Sequence, residues 1–385
     1  MQTKIKILYF LNSFVRGGIE EHVLNLLKHI DRSCFDPIMV CPQQLLDQIK
    51  DELSSFKVPC HAVSIRSFLN FVEIFRYWKI IRRERPDIVH AHLFYATFFI
   101  APISKILGVR HVVDTAHIRE SWRKGLKKVY AVDRLVYRFV SKIICVSDAI
   151  KSYMVQEKKV PSGKTIVVKN GVDLRKFNNI SSKQVDGKLV FAVIGRLEKQ
   201  KGHQYFLEAV RMLGDLGKNC EFLIIGSGSL EWKLKILAEE MGVAEKVIFL
   251  GYCKDVVSRL SEIDVLVLPS LFEGLPLVVL EAGAMGIPVI ATAVDGTPEA
   301  VVNEKTGLLV EPGNAEELRT AMEFFIKSPW EIGEFGKAAR FFIEQNFDLL
   351  FQIRKTENIY KELILKEEYG PVNVHISALR DYCAH

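Results

Sequence analysis

Residues 266–292 read LVLPSLFEGLPLVVLEAGAMGIPVIAT, and the chain on both sides continues the pattern of this stretch. The stretch begins with an apolar run that predicts a buried parallel strand. A helix is expected from Pro276 to about Met285, because the fixed φ of proline suits a first helical residue and Gly286 ends the helix. A second apolar strand follows over residues 289–292. In an open parallel sheet the start of such a helix lies at the carboxyl edge, where anionic ligands bind.

Strand and helix alternate throughout the chain. Between residues 4 and 170 the predicted strands are 5–11, 35–41, 61–64, 87–91, 111–115, 142–147 and 165–169. The helices expected between them are 19–29, 71–85, 95–107, 121–139 and a short one ending near 156. The second series has strands at 189–194, 221–225, 247–250, 265–268, 289–293 and 307–310, followed by helices over 333–344 and 348–366. Such alternation predicts an α/β fold of two doubly wound parallel-sheet domains, with a linker between 170 and 188.

The composition is ordinary for a globular protein. The chain has 385 residues, of which 49% are hydrophobic and 25% charged, and this length allows two domains with their own cores. The seven cysteines have no paired spacing, so we expect reduced thiols in a cytoplasmic protein. The apolar stretch 93–109 contains Pro102, Ser104 and Lys105, which favours a buried helix over a membrane span.

Positive charge is concentrated in the first half of the chain. Residues 1–175 contain 29 Lys and Arg against 16 Asp and Glu, a net charge of +13, whereas the remainder has a net charge of −7. This asymmetry suggests an anionic partner. One interpretation is that the basic helix over 121–139, with Arg82, Arg83 and Arg85, docks on anionic lipid; the other is a solvated basic face. No basic module interleaved with aromatic residues supports nucleic-acid binding, so nucleic acid is not expected as a partner.

Two carboxylates, Glu273 and Glu281, lie on either side of the central helix start with seven residues between them. Taken alone, they fit solvated charges near a positive helix end. Their flanking residues, however, closely resemble the E-x7-E region of the retaining family 4 glycosyltransferases, which have the GT-B fold. Residues 194–202, IGRLEKQKG, are similar to the G-R-L-x-x-x-K-G element of that family. The resemblance extends over nearly all of residues 5–365.

The resemblance implies two Rossmann-like domains that face a cleft. Residues 1–170 would be the acceptor domain and residues 171–345 the nucleotide-sugar donor domain. Residues 346–385 would supply a last helix that crosses back onto the first domain, followed by a tail. The implied activity is transfer of a hexose-type sugar from a UDP- or GDP-sugar to a hydroxyl acceptor, with the anomeric configuration retained, in polysaccharide or glycolipid biosynthesis.

The resemblance also implies roles for individual residues. Glu281 would hold the ribose diol and Glu273 a hydroxyl of the donor sugar, since sugar hydroxyls need fixed acceptors. Arg196 and Lys201 would stabilise the charge of the departing nucleoside diphosphate in place of a metal. His117 would touch the donor sugar or phosphate. The remaining expected donor-binding residues are Gly17, Gly18, Tyr252, Gly274, Leu275, Leu277 and Val278.

No metal or other cofactor is expected. The chain contains no Asp-x-Asp sequence, the usual metal-binding signature of GT-A-type transferases. His90 and His92 share one face of a strand and resemble a metal-binding pair. Because no third ligand is evident nearby in the sequence, we expect them to have a packing or acceptor-side role.

Two alternative functions are compatible with the same motifs. A nucleoside-diphosphate-sugar 2-epimerase would use the same fold and donor without an acceptor, and a non-catalytic sugar-nucleotide-binding protein would bind the donor without turnover. The nucleotide base, the sugar and the acceptor are not identified by the sequence. The expected partners are a nucleotide-sugar donor and a hydroxyl acceptor, which is either soluble or lipid-linked. An anionic membrane surface is an alternative that the sequence leaves open as a third partner.

Overall fold

The computed structural model describes residues 4–120, 127–177 and 187–369. The chain divides into two compact units. The first comprises the chain up to Asn170 together with the residues from Leu350 onward, and the second comprises Gly171–Leu349. The second unit thus ends at 349 rather than 345.

The first unit is built on a seven-stranded parallel sheet in the order β3-β2-β1-β4-β5-β6-β7. Its strands are β1 (Ile5–Leu11), β2 (Phe35–Cys41), β3 (Cys60–Ala62), β4 (Ile88–His92), β5 (His111–Ala116), β6 (Lys142–Cys145) and β7 (Thr165–Val167). Its helices are α1 (Gly18–His29), α2 (Gln43–Ser55), α3 (Phe71–Glu84), α4 (Phe94–Ile106), α5 (Lys127–Val136) and α6 (Asp148–Ser152). Because β1 pairs with both β2 and β4, the strand order reverses between β1 and β4. Such a reversal places a ligand-binding crevice at the carboxyl ends of these two strands.

The second unit repeats this plan with six parallel strands in the order β10-β9-β8-β11-β12-β13. The strands are β8 (Leu189–Ile194), β9 (Cys220–Ile225), β10 (Val247–Gly251), β11 (Val265–Leu268), β12 (Val289–Thr292) and β13 (Gly307–Val310). The helices are α7 (His203–Leu213), α8 (Glu231–Glu240), α9 (Val256–Leu260), α10 (Leu277–Ala284), α11 (Ala315–Lys327) and α12 (Glu331–Asn346). Here the order reverses between β8 and β11. The prediction of two doubly wound parallel sheets is confirmed.

The last helix, α13 (Leu349–Tyr369), packs in the first unit. The Tyr360 hydroxyl is 3.2 Å from the Tyr9 hydroxyl and 2.6 Å from Nδ1 of His90. The Asp31 backbone N–H donates to Glu357 at 2.7 Å. Tyr360 is fully buried, so the helix contributes to the core of this unit.

Several local predictions differ from the structure. Helix α2 was not predicted, although Leu45, Ile49 and Leu53 form its buried face at the i, i+4, i+8 spacing of a helix. Pro276 is the N-cap of α10 rather than its first residue, because its ψ of 116° is extended. The basic helix expected over 121–139 lies partly outside the described residues, and its described part is α5.

Five cysteines, Cys41, Cys60, Cys145, Cys220 and Cys253, are free thiols. Within the described residues no helix has the length and apolar character needed to cross a bilayer.

Candidate active site

Most of the predicted donor-site residues follow β8 and β11, the two strands between which the sheet of the second unit reverses its order. Arg196 and Lys201 lie in the loop after β8, and Glu273 lies in the loop after β11. The two loops are joined by backbone and side-chain hydrogen bonds. Leu271 N–H donates to the Gln200 carbonyl at 2.7 Å, and the Gln200 side-chain amide donates to the Phe272 carbonyl at 2.9 Å.

Lys201 and Glu273 form a nearly buried ion pair. The Lys201 Nζ to Glu273 Oε1 distance is 2.5 Å, and the side chains are only 16% and 7% exposed. Ser270 Oγ donates to the same Glu273 oxygen at 2.7 Å. The backbone N–H of Glu273 donates to Asp295 Oδ2 at 3.1 Å. Two donors therefore hold the Glu273 carboxylate, Asp295 holds its backbone, and the carboxylate fixes the Lys201 ammonium group in turn.

Glycines allow the loops to approach this closely. Gly202 has φ +65°, and a Cβ added there would lie 2.0 Å from the Pro269 carbonyl oxygen. A Cβ added at Gly226 would lie 2.0 Å from the Gly195 carbonyl oxygen. No other residue fits either position without backbone movement. Glycine at position 226 therefore allows the loop after β9 to pack against the loop after β8.

The remaining predicted donor residues surround the start of α10. Gly274 and Leu275 are buried, whereas Leu277, Val278 and Glu281 are partly exposed. Leu277 and Val278 lie in the first turn of α10, where backbone N–H groups have no carbonyl partner within the helix. This first turn is suited to an anion, and Glu281 lies one turn further along the same helix.

Arg196 and Tyr252 are exposed at the same edge of the sheet. The Arg196 side chain is exposed beside Glu198, whose pKa is lowered by the backbone N–H and hydroxyl of Ser229 and by Arg196 itself. Tyr252 follows β10 and is 57% exposed. Neither side chain is fixed in the way that Lys201 is.

Sequence reasoning missed three residues that shape this site: Gln200, Ser270 and Asp295. Asp295 has a positive φ of 41°, which places its side chain in a tight turn after β12. Its contact with Glu273 spans 22 positions, and a gap of that length leaves no periodic signal in the sequence.

The predicted glycine pair in the first unit begins a helix. Gly17 is the N-cap of α1 and Gly18 its first residue. Gly17 has an extended φ of −164°, so glycine is not required there for backbone conformation. The neighbouring Arg16 forms ion pairs with Glu21 at 2.5 Å and Glu52 at 2.7 Å, so its charge is already compensated.

His117 lies directly after β5 within a group of buried histidines. Its Nε2 is 3.0 Å from Nδ1 of His92, and its ring centroid is 5.0 Å from that of His22. Burial holds the pKa of His117 well below its usual range, and His22 and His90 lower it further. The side chain is therefore a neutral hydrogen-bonding group at physiological pH. The sequence showed no third ligand near the pair His90 and His92, whereas in the structure His22 and His117 both adjoin His92.

A cavity of about 450 Å³ opens beside His117, and Asn12, Phe14, Leu93 and Arg66 are among its lining residues. Leu93 has a positive φ of 75°, unusual for a residue with a branched side chain. Arg66 is exposed and lies 3.9 Å from the Phe14 ring centroid.

Buried charges form another part of this cavity wall. Lys158 is 1% exposed and pairs with Glu120 at 2.8 Å and Asp133 at 3.3 Å, so its charge is compensated. Burial raises the pKa of Asp114 to about 6, although a hydrogen bond from Thr97 opposes the shift. Among the described lining residues, Arg66 is therefore the cation exposed to a ligand.

Two units with Rossmann strand order, each with polar loops at the reversal of its sheet, define a two-domain protein of the nucleotide-binding class. Residues 16–176 match the model of Glycosyltransferase Family 4, and residues 175–342 match that of Glycosyl transferases group 1. The chain belongs to the family 4 glycosyltransferases, and its fold is GT-B.

Individual relatives agree with this assignment. The UDP-Gal:alpha-D-GlcNAc-diphosphoundecaprenol alpha-1,3-galactosyltransferase of Escherichia coli is 27% identical over 95% of this chain and 99% of its own length. The amylovoran biosynthesis glycosyltransferase AmsK of Erwinia amylovora is 27% identical over 67% of this chain and 64% of its own length. The solved structure of Anabaena HepE in complex with UDP-glucose has a TM-score of 0.81 at 21% identity, covering 93% of this chain and 99% of that one.

Proposed function

We propose that this glycosyltransferase transfers a hexose from a UDP-sugar to a hydroxyl group of a lipid-linked sugar, in the synthesis of a cell-envelope polysaccharide. We further propose that the anomeric configuration is retained and that no metal is required. The observation that carries the proposal is the Lys201–Glu273 pair at the carboxyl edge of β8 and β11. The uridine base is supported by the ligand of HepE and by the donor in the name of the Escherichia coli relative.

Each predicted donor residue has a role in this proposal. As the bond between the anomeric carbon and the phosphate oxygen breaks, UDP leaves with increasing negative charge, which Arg196 and Lys201 stabilise. The first-turn N–H groups of Leu277 and Val278, with the backbone of Gly274 and Leu275, bind the diphosphate. Glu281 accepts hydrogen bonds from the ribose hydroxyls, and the backbone of Tyr252 lies near the base.

The sugar itself is held by other groups. Glu273 accepts from a sugar hydroxyl through the carboxylate that already pairs with Lys201. His117, being neutral, donates or accepts a hydrogen bond at the sugar or phosphate. Gly17 and Gly18 leave space beside the phosphates or the acceptor. In a retaining transfer the acceptor attacks from the face of the departing phosphate, which takes the acceptor proton, so no protein nucleophile is needed.

The acceptor is assigned to the cavity beside His117. Its aromatic and aliphatic lining suits the apolar face of a sugar ring, and Arg66 supplies an exposed cation for a phosphate of the carrier. The name of the Escherichia coli relative gives its acceptor as a sugar on diphosphoundecaprenol. A lipid-linked sugar diphosphate would combine both features.

Donor titration tests the proposal. UDP and GDP, each alone and as sugar conjugates, are screened for a rise in thermal midpoint, because a ligand that binds only the folded state stabilises it. Glu281→Ala should weaken UDP binding by about 2–4 kcal/mol, since hydrogen bonds to a charged acceptor contribute roughly 1.5–3 kcal/mol each and are not additive. Glu240→Ala is the control for an unrelated carboxylate in the same unit. Unchanged UDP affinity in folded Glu281→Ala would reject the assignment.

Incubation with donor alone separates transfer from the alternatives. An epimerase converts the donor sugar without an acceptor, and a binding protein yields no product under any condition. The proposed transferase forms a glycoside only when a sugar-diphosphate-lipid acceptor is present. Activity should survive an excess of EDTA, and a loss that magnesium restores would contradict the metal-independent mechanism.

A further inference from the structure

Three histidine side chains meet at the carboxyl edge of the sheet in the first unit. His22 comes from α1, His92 ends β4, and His117 follows β5. One ring nitrogen from each lies within 4.8 Å of the other two. We propose that these three imidazoles form a binding site for one Zn²⁺ ion or a similar borderline divalent cation, with a fourth position open to water.

One pair of these nitrogens is already close to the geometry of a three-histidine zinc site. Zn–N bonds of about 2.0–2.1 Å in a tetrahedral arrangement place ligand nitrogens roughly 3.3–3.4 Å apart. His92 Nδ1 and His117 Nε2 are 3.0 Å apart, so they need to separate by only a few tenths of an ångström. His22 is partly exposed, which gives its ring room to move and gives the ion a route of entry.

The surroundings distinguish these histidines from their neighbour His90. Both ring nitrogens of His90 are hydrogen-bonded, Nδ1 to Tyr360 at 2.6 Å and Nε2 to Thr115 at 2.7 Å. By contrast, Nε2 of His92 is buried without a hydrogen-bond partner in the described part of the chain. His92 is therefore not fixed by hydrogen bonds at both nitrogens, as His90 is, and its ring can reorient to bind an ion.

His22 also has the outer contact typical of a metal-binding histidine. Its ring interacts with the side chain of Asn170, which follows β7. Outer contacts of this kind orient a ligand ring and raise metal affinity. The ligand set selects the ion, because imidazole suits Zn²⁺, whereas Mg²⁺ requires oxygen ligands.

Occupation of this site has a consequence that rests on the proposed function. A Zn²⁺ ion bound to Nε2 of His117 fixes the ring in the orientation that the ion requires, so the ring can no longer adjust to the donor sugar or phosphate. Zinc would then inhibit transfer, and a chelator would restore it. The site would therefore regulate a reaction that itself needs no metal.

Metal binding is measured without reference to turnover. The full chain, stripped with EDTA, is titrated with Co²⁺ while the visible absorption of tetrahedral cobalt is recorded, and Zn²⁺ is then added to displace it. We expect one ion per chain, no response to Mg²⁺, and a higher thermal midpoint with Zn²⁺. His22→Gln and His92→Gln should each weaken binding by at least about tenfold.

His61→Gln is the matched control, because His61 lies in the same unit, contacts Arg83 and Glu84, and is outside the cluster. It should bind zinc as the unmodified chain does. His22 is only partly buried, so His22→Gln remains decisive where His92→Gln fails to fold. Absence of binding by the unmodified chain, or unchanged affinity in folded His22→Gln, overturns the site. Zinc binding without zinc inhibition overturns only the regulatory consequence, and absence of any turnover contradicts the proposed function instead.

Discussion

Arg196 and Lys201 have the same proposed chemical role but different structural surroundings, and the difference can be tested. Either Arg196→Ala or Lys201→Ala should lower turnover by on the order of a hundredfold or more, since each removes a cation that stabilises developing charge. Lys201→Ala should also lower the free energy of unfolding by up to about 3 kcal/mol, because it leaves the buried Glu273 carboxylate unpaired. Arg196→Ala, at an exposed position, should change it by less than about 0.5 kcal/mol.

Turnover and thermal unfolding of the two variants measure these effects. Lys199→Ala is the control, since Lys199 is an exposed cation of the same loop. Near-normal turnover in both active-site variants would reject the charge-stabilising role.

His203 should make the second unit sensitive to acid. It is 2% exposed, neither ring nitrogen has a hydrogen-bond partner among the described residues, and burial lowers its pKa to about 4. Because the unfolded chain takes up a proton near pH 6.5, the contribution of His203 to stability is complete above that pH. It is lost as the pH falls from 6.5 to about 4, by roughly 3 kcal/mol in all.

Thermal or denaturant unfolding between pH 4 and 7.5 tests the sign of this effect. His203→Phe and His203→Gln do not titrate, so both should lose less stability on acidification than the unmodified chain, whatever their absolute stability. If all three proteins lose stability in parallel, His203 is not the group responsible.

At the residue scale, the sequence singled out individual residues but not their contacts with one another. Glu273 and Lys201 were predicted from their motifs. Their contacts with Ser270 and Asp295 depend on side-chain directions in loops, which no periodic pattern encodes. The histidine cluster was missed for the same reason, since its members lie on three separate elements.

At the scale of elements, the turn at Gly202 joins the active-site loop to α7, and its geometry predicts the effect of a single methyl group. Gly202→Ala combines a positive φ with a Cβ 2.0 Å from the Pro269 carbonyl oxygen. Gly242→Ala, directly after α8, has a similar φ of +68° and nothing within 4 Å of the added Cβ. Both variants introduce backbone strain of about 1–2 kcal/mol. Only Gly202→Ala should also displace Lys201 and lower turnover.

Comparison of the two glycine variants separates strain from collision. Unfolding midpoints and initial rates are measured for both. Equal losses of stability, with no additional loss of activity in Gly202→Ala, would show that the contact with Pro269 is easily relieved.

The bounds of a strand or helix could be predicted where its apolar residues form a strong pattern in the sequence. Apolar strands such as β8 and β11 were predicted to the residue, because both faces of a parallel sheet are covered and the whole strand is apolar. Helix α2 was missed because only three buried residues mark it within a polar sequence. The start of α10 was displaced by one residue because proline is compatible with both the N-cap and the first helical position.

At the scale of the whole chain, the excess of positive charge before residue 175 coincides with an unusual apolar surface in the first unit. We define the α3 face as Leu69, Phe71, Val72, Phe75 and Ile106, whose exposed fractions are 78%, 71%, 63%, 51% and 82%. Phe71, Phe75 and Ile106 also line a groove between α3 and α4. Exposed cations continue along α3 at Arg76, Lys79, Arg82 and Arg83.

An anionic bilayer matches both the charge and the apolarity of this face. Basic residues near such a surface contribute roughly 1 kcal/mol each and are screened by salt, whereas apolar burial is not. We therefore propose that the α3 face, with the basic residues expected over 121–139, makes the enzyme a peripheral protein of the cytoplasmic membrane surface. This location would bring it to a lipid-linked acceptor.

Sedimentation with liposomes tests this docking and separates its two components. The unmodified chain should sediment with anionic liposomes at low salt, and less at high salt. Phe71→Ser with Ile106→Ser should lower sedimentation at both salt concentrations, because it removes apolar contact. Lys79→Glu with Arg82→Glu should lower it chiefly at low salt.

Trp232→Ser controls for loss of an exposed aromatic residue, since Trp232 is 73% exposed in the second unit. A charge reversal of Lys124, Lys127 and Lys128 tests the basic segment separately, and all variants should retain UDP binding. If the unmodified chain does not sediment with anionic liposomes even at low salt, the α3 face does not bind membranes. A soluble acceptor then becomes the better assignment, because a lipid-linked acceptor requires the enzyme to act at the bilayer surface.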